Sequence, residues 1–221
     1  YLLTKKLYDY ASLIKVKKNI FFSTIKVHGE YSYKFKPFKN TDKPNPKDDY
    51  SKTKYLAEKY LLKKSSEKIF PIYILRPPLI LGNKIKGNIK FFLKILKLKF
   101  PLPIKNINNK RSFLCISNLN TLIHKLIFEF NGKTDIFLLS DGYPISTSDL
   151  LNKISYFSKL KLRTFQLNKY ILKIIFNIFF LKKYFQKLFY SQEIDIEYTK
   201  KILKWEPDDQ LDQTLKSMFN E

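Results

Sequence analysis

The sequence predicts an α/β fold built on a parallel sheet, and three observations point to it. Short apolar runs at 20–23, 69–75 and 135–139 each break into polar or turn-forming residues at their C-terminal ends. Amphipathic segments long enough for helices lie between and around them, at 1–18, 49–64 and 118–130. The first run passes directly into a hydroxyl pair, Ser23-Thr24, as expected where a parallel sheet opens towards a ligand.

Composition narrows the class. At 221 residues the chain can bury one core, or one core with a small added lobe. The single cysteine, Cys115, excludes an internal disulfide, fits a reducing compartment and reads as a small buried residue. The net charge of +23 would suit nucleic acid, but arginine occurs only at Arg76, Arg111 and Arg163. The lysines are spread along the whole chain, and Ile, Asn, Phe and Tyr are abundant, the bias of an AT-rich genome. Phosphate and base recognition favour clustered arginine, so no nucleic-acid partner is expected. The chain opens on Tyr1 without a signal peptide, and its sole methionine is Met218. Its beginning is therefore expected to be missing, and its location to be cytoplasmic.

Residues 1–18 place Leu2, Leu3, Leu7, Tyr8, Ala11 and Ile14 near helical spacing. Residues 20–23 form the first buried strand, and 31–48, with Pro37, Pro44 and Pro46, a crossing loop. Asp48-Asp49 suit the start of a helix running to about Lys64. Tyr50 and Lys54 stand four residues apart on it and share a face. A lysine ammonium beside a tyrosine favours the phenolate, and Thr24 at the strand end can donate to the substrate oxygen that the tyrosine deprotonates. Such a set suits proton transfer at a carbinol carbon.

The second strand ends at Arg76-Pro77-Pro78, where two prolines stop pairing. Gly82 to Asn88 is a loop, 89–98 a basic amphipathic helix capped by Asn88, and 110–116 a strand entered through Arg111. The helix at 118–130 and the strand at 135–139 follow, and Ser146 to Asp149 open another helix. The most apolar region, 170–190, is interrupted by Lys173, Lys182 and Lys183 and is too short for a membrane span. It reads as a lobe helix and leaves room for a peripheral membrane contact.

Ser23-Thr24 after a strand, Val27-His28-Gly29-Glu30, the Pro-rich loop and Tyr50-x-x-x-Lys54 resemble the extended short-chain dehydrogenase/reductases. The nearest likeness is to nucleotide-sugar epimerases of the UDP-glucose and UDP-N-acetylglucosamine 4-epimerase type. Trp205-Glu206-Pro207 resembles their closing signature, with Lys204 where glycine is usual. The resemblance implies NAD as cofactor and a UDP-sugar as substrate. It implies the second half of a Rossmann domain at 1–76 and a mainly sugar-nucleotide lobe at 77–221, with about 110–130 returning to the Rossmann domain. Tyr50, Lys54 and Thr24 would be catalytic, and Ser23, Tyr50 and Lys54 would meet the cofactor. Thr24, Asn88 and Arg111 would hold the substrate, and no metal is implied. Homodimers would form through the helices at 1–15 and 49–64. Related 4,6-dehydratases carry an acidic pair after the hydroxyl, where this chain has Ile25-Lys26, so elimination chemistry is disfavoured. Reduction of a 4-keto nucleotide sugar needs the same Tyr and Lys. A non-catalytic remnant or basic binding module is the reading from outside enzymology. The five glycines draw no Gly-x-Gly-x-x-Gly or Gly-x-x-Gly-x-x-Gly turn for a pyrophosphate. The 221 residues alone are therefore expected to bind NAD poorly and to be inactive.

Overall fold

A computed structural model describes residues 1–33, 36–67, 69–82, 93–94, 96–97, 99, 101–105, 107–180 and 182–219. At its centre, β1 (Asn19–Phe22), β2 (Ile72–Arg76) and β5 (Asp135–Leu138) form a parallel sheet in the order β1-β2-β5. Ile20 pairs with Tyr73, and Leu75 with Phe137. Every residue of β2 is buried, as expected of a central parallel strand covered on both faces.

Side chains alternate across this sheet. Ile72 and Ile74 pack on one face with Tyr8 of α1 (Leu2–Leu13) and Leu61 of α2 (Asp49–Lys64). Tyr73 and Leu75 point to the other face. There they meet Leu119, Leu122 and Leu126 of α3 (Ile116–Phe128), with Leu203 and Trp205. The result is a helix–sheet–helix sandwich.

A second core lies beside it. β3 (Leu79–Leu81) pairs in parallel with β4 (Phe113–Cys115). Leu81 and Phe113 pack with Leu150, Leu151 and Ile154 of α4 (Thr147–Ser158) and with Leu215 and Met218 of α8 (Leu211–Phe219). Between α4 and α8 the chain forms α5 (Lys169–Ile178), α6 (Lys182–Phe189) and α7 (Glu197–Leu203). The apolar region read as one helix is two, because Phe180 adopts a positive φ of 56° after α5. The expected strand at 110–116 is shorter, since Arg111 makes only isolated bridges, to Ile145 and Gln192. Asn88, the loop leading to it and most of the expected helix at 89–98 lie outside the described residues.

Candidate active site

The site lies at the C-terminal end of β1. Past Phe22, Ser23 N–H still donates to the Leu75 carbonyl at 2.8 Å, and Ile25 N–H reaches the Pro77 carbonyl at 2.9 Å. The loss of amide donors at Pro77 and Pro78 ends β2 here and frees the chain to turn. Thr24 caps a 3-10 turn over Ile25–Val27, its hydroxyl accepting from Lys26 N–H at 3.4 Å. An acceptor role leaves the Thr24 hydroxyl proton free for a ligand. Ser23 is buried, and its Oγ has no partner among the described residues.

α2 brings the second set. Asp48 caps it by accepting from Ser51 N–H at 2.7 Å, and Lys26 Nζ lies 2.7 Å from the same carboxylate. Burial would raise the Asp48 pKa, but the bonds from Lys26 and Ser51 hold it well below the usual carboxylate range. Burial opposes the Lys26 ammonium too, yet Asp48 and Glu30 keep its pKa raised. The start of α2 is thus fastened to the turn that carries Thr24.

Tyr50 and Lys54 leave α2 towards the strand end. Lys54 Nζ donates to the Phe22 carbonyl at 2.7 Å and lies 5.0 Å from the centre of the Phe21 ring. Burial lowers the Lys54 pKa, partly offset by Glu58 one turn on. Tyr50 is 55% exposed. The two side chains share a face, as their spacing requires, but make no hydrogen bond to each other among the described residues. The ammonium rests on the backbone of β1 instead.

Tyr50 and Thr24 line a cleft of about 780 Å³ whose far wall includes Arg111. Arg111 donates through Nη1 to the Lys187 and Tyr190 carbonyls at 3.2 and 3.3 Å, and through Nη2 to Gln192 Oε1 at 3.5 Å. Burial lowers its pKa to about 10, so it remains cationic at neutral pH. Gln192 is a wall residue the sequence did not single out. It lies on a strap bound to both sides of the site, with Ser112 N–H on the Gln192 carbonyl and Phe38 N–H on the Glu193 carbonyl. Its Nε2 also donates to the Glu30 carbonyl at 3.3 Å. Thr24, Tyr50 and Arg111 therefore meet in one cleft, with Lys54 and Ser23 at the adjoining strand end.

Below the cleft, the Arg76 guanidinium meets Glu58 of α2 and contacts His28 Nε2 at 2.8 Å. His28 stacks on Phe38 at 5.5 Å, which gives it a packing role. Among the described residues no cluster of His, Cys, Asp and Glu could hold a metal ion.

A family model for an NAD-binding domain, described as male sterility protein, matches residues 4–102. UDP-glucose 4-epimerase of Vibrio cholerae is 33% identical over 204 residues, covering 91% of this chain and 62% of that protein. The chain thus spans less than two thirds of that relative. In fold it is similar to UDP-glucuronic acid 4-epimerase of Bacillus cereus, solved with NAD, at TM-score 0.76 and 19% identity over 99% of this chain and 63% of that one. It is also similar to UDP-glucose 4-epimerase of Thermotoga maritima, solved with UDP-glucose, at TM-score 0.74 and 17% identity over 98% and 67%.

Proposed function

We propose that this chain, similar to a UDP-glucose 4-epimerase and matched over residues 4–102 by an NAD-binding family model, serves NAD-dependent 4-epimerisation of a UDP-hexose or UDP-N-acetylhexosamine. The observation that carries the reading is the meeting of Thr24, Tyr50 and Arg111 in one cleft at the end of β1. Tyr50 takes the proton of the sugar 4-hydroxyl and returns it to the 4-keto sugar after that sugar has turned over. Thr24 donates to the C4 oxygen. Arg111 keeps N–H groups beyond its three contacts among the described residues, and a planar cation of this kind suits a diphosphate.

The residues present fit the nicotinamide–ribose end of a dinucleotide. Ser23 offers a buried hydroxyl without a partner among the described residues, and Lys54 a desolvated ammonium on the strand end. When bound, NAD accepts the C4 hydride and gives it back. Elimination finds less support, because Ile25 is buried in the core and Lys26 is engaged by Asp48 and Glu30. Exposed Leu3, Leu7 and Leu13 of α1 and Leu56 of α2 support assembly of two copies through these helices.

The test, made on a protein that joins these 221 residues to a pyrophosphate-binding half, is incubation with NAD and UDP-glucose or UDP-N-acetylglucosamine, with products resolved by chromatography. A 4-epimer formed without net change in NADH supports the reading. Net NADH consumption on a 4-keto sugar would replace it with reduction, and salt-sensitive polyanion binding without turnover would replace it with a binding module.

A further inference from the structure

Helix α5 carries two apolar faces, and only one is used by the fold. Leu172 is buried, and Phe176 packs against Phe185 of α6 at 5.7 Å between ring centres. The other face presents Ile171, Ile174, Ile175 and Ile178, spaced i, i+3, i+4 and i+7, to solvent. Ile174 is 60% exposed and Ile178 65%. The stripe ends in Phe179 and Phe180, and Phe180, held out by its left-handed backbone, is 94% exposed. A continuous apolar strip ending in a projecting aromatic pair is the kind of surface that marks an interaction site.

Charge decides the occupant. Between Asp149 and Glu193 the sequence has no acidic residue and nine lysines or arginines. A second copy would set this positive segment against itself. An anionic bilayer offers an apolar interior and negative headgroups together. No helix among the described residues is long and apolar enough to cross a membrane. The ten residues of α5 span about 15 Å, a length suited to lying in the interface.

We propose that α5 and its Phe179-Phe180 turn form a docking element for anionic lipid surfaces. The isoleucine stripe and Phe180 enter the headgroup–acyl boundary, while the lysines of the surrounding 150–192 segment draw it to the headgroups. This holds whatever reaction the cleft supports.

The test is flotation of the 221-residue chain with phosphatidylcholine vesicles, with and without phosphatidylglycerol. Binding is expected only with phosphatidylglycerol and should weaken as salt rises. An I174S/I178S/F180S variant, altered only at exposed positions, should keep its circular dichroism spectrum and lose bound fraction by about tenfold or more. Three results would overturn the proposal: no binding to anionic vesicles, equal binding by the triple variant, or lipid-free self-association that the same variant abolishes.

Discussion

Arg76 grips Glu58 with two nitrogens inside the protein: Nε lies 3.0 Å from Oε1 and Nη2 2.5 Å from Oε2, with the side chains 3% and 0% exposed. The pair ties the end of β2 to the middle of α2, one turn beyond Lys54. It therefore sets where the helix bearing Tyr50 sits against the sheet. A fork-on-carboxylate contact of this kind resists sliding as well as separation.

Breaking the pair strands a buried charge. Glu58→Ala should destabilise the fold by about 3–5 kcal/mol, the range for removing one partner of a buried ion pair. Urea denaturation checks this, and a loss comparable to that of an exposed pair would mean that water reaches Arg76.

Protonation of His28 gives a pH dependence. Burial, and then the neighbouring Arg76 cation, push its pKa from 6.5 to about 4. Arg76 can only donate, so Nε2 accepts and the ring is held neutral. The unfolded chain binds this proton more readily, so the contribution is fully present above 6.5 and is lost as pH falls from 6.5 through 4. The gap corresponds to on the order of 3 kcal/mol. Asp141, whose pKa burial raises, works in the opposite sense. The histidine share is therefore read as the difference between the unaltered chain and His28→Gln, whose stability should fall less over this range.

The chemistry predicts a division among three substitutions. In a protein that joins these residues to a pyrophosphate-binding half, Tyr50→Phe should lower turnover about 10²–10⁴-fold, the usual worth of a positioned acid–base group, and leave UDP-sugar binding nearly unchanged. Thr24→Val should also act on turnover. Arg111→Ala should chiefly weaken binding of the nucleotide. Calorimetry with UDP beside product assays separates the two effects.

Lys204 closes α7 in the left-handed conformation, at φ 48° and ψ 44°. A side chain there meets its own backbone, whereas glycine takes this shape without strain. Lys204→Gly should raise stability by about 0.5–1 kcal/mol, less whatever the freer unfolded chain takes back. The melting temperature is the measurement.

Much of the site was legible because its signals are local. Asp48, Tyr50 and Lys54 lie within about two turns of a helix, and Ser23-Thr24 follow directly on a strand. The Glu58–Arg76–His28 cluster was not legible, since its members lie 18 and 48 residues apart and no periodic pattern marks them. Gln192 was hidden for the same reason, 162 residues from the Glu30 carbonyl it bonds. Spacing brought Tyr50 and Lys54 to one face, but it could not say that the Phe22 carbonyl competes for the ammonium. The break at Phe180 was missed because nothing in an apolar run of Ile and Phe marks a left-handed residue.

β1 sits at one margin of the central sheet, and among the described residues no strand lies on its far side. In the 221 residues by themselves such a margin turns backbone amides and carbonyls outwards, where a strand from another molecule can join and seed aggregation. The net charge of +23 opposes that encounter, because copies repel before their edges meet. Salt removes this protection, with a screening length of about 3 Å at 1 M, and leaves the edge as it was. The lysine excess that gave no reason to expect nucleic acid thus has a colloidal role wherever the 221 residues are handled by themselves, keeping copies apart while this edge is bare.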